Sequence, residues 1–240
     1  MENRAVICTH HKTGTIWMRH TFEATASALN VPCVRISAEG ADVPLPRSAC
    51  FVRDVHSQWF SKRFHENGDR ILHVIRDPRD IVISAMHYHR KSTEKWLHRP
   101  DDRFGGMTYQ QALNGLPDDR SRMIFEMDHS SAAIIRRMCA WQYGRWDCFE
   151  TKYETLLASG GDEFAKAAQH LGLRGTEVDV AVSSFCENSL ASGAQHKIGS
   201  DVHVRSGAPE QWREFYDAEL EQAFTDRFPD AISRLGYPAF

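Results

Sequence analysis

Buried β-strands are predicted by short apolar runs at residues 5–9, 31–36, 50–55 and 70–75. Helical character follows at residues 16–29 and 79–90, and Pro78 fits the first turn of the second helix. Strands that alternate with helices favour a parallel sheet covered on both faces. We therefore expect an α/β fold, a three-layer domain with a central parallel sheet flanked by helices.

The remaining sequence is predicted to continue the same domain, so that one domain spans residues 1–240. Residues 91–128 are polar, with Gly105, Gly106 and short helical pieces, which indicates an insertion or lid over the carboxyl edge of the sheet. The further elements that we predict are helices at 130–146, 162–171, 177–188 and 210–235, a strand at 148–153 and a loop at 189–209.

Composition narrows the classes of protein. Hydrophobic residues make up 42% and charged residues 25%, which is ordinary for a soluble domain. The net charge of −3 argues against a nonspecific nucleic-acid binder. The sequence has neither an apolar run of about 20 residues nor a signal-peptide pattern, so we expect a cytoplasmic protein without a membrane partner. The oligomeric state is left open, a homodimer included.

The cysteines and histidines lack the spacing of a metal site. Six cysteines are present without a C-x-x-C pair, and thirteen histidines without an H-E-x-x-H pattern. We predict free thiols in or near the core and no bound metal.

An anion-binding loop is predicted between the first strand and the first helix. Backbone N–H groups and the positive end of a helix dipole favour a phosphate or sulfate there. Gly14 would allow close approach of the backbone, Thr13 and Thr15 carry hydroxyl donors, and Lys12 carries a mobile positive charge. Because the lysine precedes the glycine, the G-x-x-x-x-G-K-[ST] signature of nucleotide triphosphatases is not met.

A second anion site is indicated by Arg76, at the end of a strand, and Ser84, eight residues later in the following helix. The planar guanidinium suits a phosphate, and a serine hydroxyl can complete the site. We expect Pro78 to lock the intervening turn and Arg79 to be an ordinary solvated helix residue. Two anion sites in one chain favour a ligand that is phosphorylated at both ends.

The first loop resembles the 5′-phosphosulfate loop of the sulfotransferase family, P-K-S/T-G-T-x-W. Lys12, Thr13, Gly14, Thr15 and Trp17 match it, and His11 stands where the family has proline. The resemblance implies a P-loop-like fold and a loop, including Ile16, that binds the donor 3′-phosphoadenosine 5′-phosphosulfate (PAPS), with Trp17 against the adenine. The product would be 3′-phosphoadenosine 5′-phosphate (PAP), and no metal is needed.

Further segments resemble the same family. Arg76 and Ser84 reproduce its 3′-phosphate motif, and Tyr153, in Lys-Tyr-Glu-Thr-Leu, resembles a residue that reaches the adenine. Residues 205–207 and Trp212 resemble its C-terminal Arg-Lys-Gly-x-x-Gly-Asp-Trp loop. This implies that Arg205, Ser206 and Gly207 bind the 3′-phosphate. Ser206 replaces the family lysine, which removes one phosphate contact.

A base must take the proton of the acceptor, and histidine suits this task near neutral pH. The family has its catalytic histidine at a comparable strand end, which implies His56 here, and Lys12 would stabilise charge on the leaving oxygen. Rival bases are His10, His11, His87 and His89.

The predicted function is direct transfer of a sulfuryl group from PAPS to an acceptor hydroxyl or amine. The acceptor would be a small molecule or a carbohydrate, in a pocket shaped by residues 91–128. Two alternatives stay open: a nucleotide kinase-like phosphotransferase on a related P-loop fold, and a noncatalytic nucleotide-binding protein.

Overall fold

A computed structural model describes residues 4–36, 48–54, 57, 68–189, 197–198, 201–202 and 206–240. The chain divides into two compact units. The first unit contains Met1–Arg76 and Trp141–His196, and the second contains Asp77–Ala140 and Lys197–Phe240.

The helices are in chain order α1 Thr15–Leu29, α2 Pro78–His89, α3 Tyr109–Asn114, α4 Asp119–Asp128, α5 Ser130–Ala140, α6 Tyr153–Ala158, α7 Asp162–His170, α8 Thr176–Glu187, α9 Trp212–Phe215, α10 Ala218–Arg227 and α11 Ala231–Arg234. Two short 3₁₀ helices span Lys95–His98 and Asp102–Phe104.

The first unit is built on a five-stranded parallel sheet in the order β2-β3-β1-β4-β5, with strands β1 Ala5–Thr9, β2 Cys33–Ile36, β3 Phe51–Asp54, β4 Arg70–Ile75 and β5 Cys148–Lys152. Strand β1 is the middle strand, so its carboxyl end lies at the centre of the edge formed by the carboxyl ends of the strands. The prediction of an α/β fold with a central parallel sheet is confirmed.

Successive side chains of each strand point to opposite faces of the sheet, and they pack in two separate apolar cores. Ala5 and Ile7 pack in the core that α1, α7 and α8 complete, together with Phe22 and Phe164. The other face contributes a second core, in which Val6 and Cys8 join Val52, Ile71, Trp141 and Cys148. Both faces of β1 are therefore buried, as is usual for a parallel sheet, and the strand is held rigidly.

The six cysteines are free thiols, as predicted. Cys8 and Cys148 are buried in the second core, and burial raises the pKa of each thiol. A protonated, enclosed thiol is a poor nucleophile. These cysteines therefore act as small apolar side chains.

In the second unit, the predicted insertion at residues 91–128 consists of the two 3₁₀ helices, α3 and α4. Its own apolar cluster is formed by Leu97, Tyr109 and Leu113. The ring of Trp96 meets that of Tyr109 at 5.0 Å between centroids. The short helical pieces are confirmed, and the function of the segment as a lid stays a prediction.

Arg79 is completely buried, which makes the prediction of a solvated residue wrong. Its Nε and Nη2 donate to the Asp77 carboxylate at 3.0 and 2.7 Å, and Nη2 also donates to the Pro238 carbonyl at 2.9 Å. The guanidinium lies 3.6 Å over the ring of Trp212 and 4.8 Å from that of Phe240. A paired guanidinium with aromatic cover can be buried where an unpaired charge cannot.

Three predicted elements differ from the structure. The helix expected at 210–235 is divided into α9, α10 and α11, because Asp217 caps a new helix by accepting from the Leu220 N–H and Pro229 follows α10. The helix expected at 130–146 ends at Ala140, before Gly144 with its positive φ of 77°. The predicted loop at 189–209 contains the antiparallel pair β6 Lys197–Ile198 and β7 Asp201–Val202.

No helix among the described residues is long and apolar enough to cross a membrane.

The buried arginine gives a stability prediction. Arg79→Met would remove the guanidinium that pairs with the buried Asp77 carboxylate, so we expect the free energy of unfolding to fall by about 3 kcal/mol in urea denaturation. Arg103→Met is the matched control, because Arg103 bonds Asp101 in the same Asp-x-Arg spacing but has 72% of its side chain exposed. Its loss should leave stability nearly unchanged. Equal losses in both variants would contradict the importance of burial.

Candidate active site

The loop His10–Gly14 joins the carboxyl end of β1 to the start of α1. Two of its residues have left-handed backbone conformations, Lys12 with φ 69° and Gly14 with φ 93°. This conformation costs a lysine about 1–2 kcal/mol, whereas a glycine adopts it freely. A strained lysine in a tight turn persists only when the surrounding contacts hold it.

The contacts that hold the turn converge on the backbone of His10. Its carbonyl accepts from the Thr13 N–H at 3.1 Å, from Thr13 Oγ1 at 2.9 Å and from Thr15 Oγ1 at 2.8 Å. Its N–H donates to Thr13 Oγ1 at 2.9 Å. Both threonine hydroxyls, predicted as donors to an anion, thus donate within the loop. In this structure the two hydroxyls fix the backbone of the loop. No sequence motif predicts this role.

The first turn of α1 presents N–H groups that have no intrahelical acceptor. Gly14 is the N-cap, and among the described residues no side chain caps this helix end. The N–H groups of Thr15, Ile16 and Trp17 occupy the first three helical positions, and the first turn contains no acidic residue. Together with the positive end of the helix dipole, they form a site suited to an anion.

Arg76 brings a guanidinium to the same loop. It follows β4, is 4% exposed, and donates from Nη1 to the Lys12 carbonyl at 3.3 Å. The guanidinium lies 4.6 Å over the ring of Tyr153, the first residue of α6. Lys12, Gly14, Arg76 and Tyr153, which come from three separate segments, therefore meet in the first unit.

Trp17 lies in the apolar core rather than on the surface of the loop. It is 3% exposed, its Nε1 donates to the Phe185 carbonyl at 3.2 Å, and its ring stacks on that of Phe185 at 4.5 Å. The ring of Tyr153 meets it edge-on at 6.0 Å. Trp17 therefore packs against Tyr153 from the core. Contact of Trp17 with an adenine stays a prediction.

The other predicted residues belong to the second unit or lie outside the described residues. Ser84 lies half-buried in α2, Ser206 is exposed and Gly207 is half-buried with φ 68°, all in the second unit. His56 and Arg205 lie outside the residues that the structure describes. Across the described ranges, no cluster of three or more histidine, cysteine or acidic side chains could hold a metal ion.

Comparison with known families decides the identity of the chain. The model of the sulfotransferase domain matches residues 2–236. This chain belongs to the sulfotransferase family. Among curated proteins, no sequence matches significantly. Membership of the family favours sulfuryl transfer over the kinase-like alternative.

Three solved structures share the fold at low sequence identity. Mouse sulfotransferase SULT7A1 complexed with PAP has 14% identity and a TM-score of 0.57, covering 96% of this chain and 84% of that one. Retinol dehydratase with androsterone and the inactive cofactor PAP has 12% identity and a TM-score of 0.62, covering 95% and 80%. Retinol dehydratase with retinol and PAP has 12% identity and a TM-score of 0.56, covering 95% and 81%.

Gly14 gives a prediction for the loop of this sulfotransferase. A Cβ at position 14 would lie 3.1 Å from Tyr153 Cδ2, in addition to the strain of φ 93°. We expect Gly14→Ala to lower the free energy of unfolding by about 2–3 kcal/mol in chemical denaturation.

Gly144→Ala is the matched control in the same unit. Its φ is 77°, but its Cβ would meet nothing within 4 Å among the described residues. The expected loss is about 1 kcal/mol, from backbone strain alone. If both variants lost the same stability, the contact between the loop and Tyr153 would be unimportant.

Proposed function

We propose that the loop between β1 and α1 holds the phosphosulfate of PAPS, and that this sulfotransferase moves the sulfuryl group to a hydroxyl or amine of a small-molecule acceptor. Family membership and the PAP complexes of the structural neighbours support the donor. The retinol and androsterone complexes of retinol dehydratase support a small-molecule acceptor.

The observation that carries the proposal is the uncapped start of α1 beside a buried arginine. The N–H groups of Thr15, Ile16 and Trp17 supply neutral donors for a phosphate or sulfate. Arg76, 4% exposed, supplies a fixed positive charge next to the Lys12 carbonyl. Because burial weakens screening by solvent, a charge there interacts more strongly with a bound anion than a surface charge would.

Lys12 and Gly14 act on the phosphosulfate in this proposal. The left-handed conformation at Gly14 lets the backbone approach the anion closely. Lys12 stabilises the negative charge that grows on the oxygen between sulfur and phosphorus as the bond from sulfur to this oxygen breaks. Thr13 and Thr15 keep the backbone donors in position through the His10 carbonyl.

The other end of the donor requires a second set of residues. Arg76 is the described residue that links the two ends, since it touches the loop and lies over the ring of Tyr153. We assign the 3′-phosphate to Arg76 and Ser84 together with residues 205–207. Tyr153 and Trp17 are assigned to the adenine, with Tyr153 forming the surface and Trp17 its buried support.

Transfer is direct in this scheme. The acceptor oxygen or nitrogen forms a bond to sulfur while the bond from sulfur to the bridging oxygen breaks, and PAP leaves with that electron pair. His56 takes the acceptor proton. Residues 91–128 are assigned to the acceptor pocket, and a homodimer remains compatible with the proposal. The scheme uses no metal.

The charges of the donor site can be tested by binding. We expect Lys12→Met and Arg76→Met each to weaken PAP binding about 10- to 100-fold in isothermal titration calorimetry, because each removes a charged donor from an anion site. Lys166→Met is the control, since Lys166 lies on α7 with 66% of its side chain exposed and pairs with Glu163. Wild-type affinity in both site variants would contradict the assignment.

The base can be tested by kinetics. His56→Ala should lower kcat at least about 100-fold, because the acceptor proton loses its destination, while the affinity for PAP stays unchanged. His87→Ala tests a rival histidine and should keep its kcat. If His56→Ala transferred sulfate at the normal rate, the base assignment would be wrong and the family membership would stand.

A further inference from the structure

The first residue of the donor loop forms a buried pair with a second histidine. His10 follows β1 and is 2% exposed, and His73 belongs to β4 and is fully buried. Their Nε2 atoms are 2.9 Å apart, which is hydrogen-bond distance, and their rings meet edge-on at 69°. Neither the proposed transfer chemistry nor the family motifs use this pair.

His73 is held in a fixed orientation by its surroundings. Its ring stacks on that of Trp141 with 3.7 Å between centroids and an angle of 16°, and the ring of Tyr143 lies 5.9 Å away. Burial, followed by the proximity of His10, lowers the pKa of His73 well below its usual value. The imidazole of His73 is therefore neutral at physiological pH.

The direction of the bond follows from the other nitrogen of His73. Its Nδ1 is buried and has no hydrogen-bond partner among the described residues. A buried N–H without an acceptor is rarer than an acceptor without a donor. The hydrogen-bond network therefore assigns the hydrogen to His73 Nε2, which donates to the lone pair of His10 Nε2.

The hydrogen bond between the two histidines affects the donor loop because the backbone of His10 is bonded to other residues of the loop and of α1. The His10 carbonyl accepts from both threonine hydroxyls and from the Thr13 N–H, and the His10 N–H donates to Thr13 Oγ1. A shift of the His10 side chain therefore moves the point to which Thr13 and Thr15 are attached. Anion binding by backbone N–H groups depends on their positions to within about 0.5 Å.

We propose that His73 is a positioning residue for the donor, which holds His10 and thereby the geometry of the Lys12–Gly14 turn. This inference rests on the proposed function. It assigns His10 to the scaffold of the loop rather than to the set of rival bases, since its Nε2 is bonded to His73. His73 itself does not touch the donor in this proposal.

Paired variants separate the hydrogen bond from the packing. His73→Phe keeps a ring against Trp141 but has no donor, and His73→Gln keeps an Nε2 donor without the ring. We expect His73→Phe to weaken PAP binding about 5- to 10-fold and to raise the KM for PAPS equally, with the acceptor KM and kcat little changed. His73→Gln should recover most of the affinity for PAP.

His170→Phe is the control for a merely structural loss. His170 also lies in the first unit and bonds through Nε2, to the Asp147 carbonyl at 3.0 Å. This variant should lower the melting temperature without changing the affinity for PAP. Wild-type affinity in His73→Phe, or an equal loss in His73→Gln, would overturn the positioning role. If the wild-type protein bound no PAP, the proposed function would fall first, and the inference with it.

A measurement on the wild-type protein covers the case in which His73→Phe does not fold. Nuclear magnetic resonance of the ring nitrogens should show the hydrogen of His73 on Nε2. Addition of PAP should move the signals of His10 and His73 and leave those of His170 unchanged. A hydrogen on Nδ1 of His73, or no response of this pair to PAP, would overturn the inference.

Discussion

The N–H groups at the start of α1 are the constraint on which the rest of the site depends. A helix must begin with backbone donors that its own turns cannot satisfy, and here no described side chain caps them. The sheet places this helix end at its centre, because β1 is the middle strand and both of its faces are buried. The glycine at position 14 allows Tyr153 to pack against the loop, where a Cβ would lie 3.1 Å from its ring.

Two arginines near the end of β4 have different roles because their surroundings differ. Arg79 is neutralised by Asp77 and covered by Trp212, so it joins α2 to α9 within the second unit. Arg76 bonds a carbonyl of the loop and lies over the ring of Tyr153, so its buried charge lies at the loop. A buried charge interacts strongly with an incoming anion, because solvent screens it only weakly.

The sequence predicted the elements whose pattern is local. The strands of the sheet follow from apolar runs bounded by polar turns. Burial of Arg79 could not be predicted, because its aromatic cover comes from residues more than 130 positions away. The division of the last helix was not predicted, because a helical pattern of residues continues across the cap at Asp217 and the break at Pro229.

Within the site, motifs assigned Lys12, Arg76 and Tyr153 to one donor molecule, whereas the anchoring of the loop by the His10 carbonyl was not predicted. A backbone carbonyl is the same in every residue, so only the fold shows which one is used. His73 was missed for a related reason, since a histidine inside an apolar strand resembles any core residue until its partner is known.

Transfer of radiolabelled sulfate from PAPS, followed over a panel of small-molecule hydroxyls and amines, tests the central claim most directly. We predict that label reaches at least one acceptor, that PAP inhibits this transfer, and that ATP with magnesium does not replace PAPS. If no acceptor were labelled and the protein bound neither PAPS nor PAP, the account of the Lys12 loop as a phosphosulfate site would be contradicted.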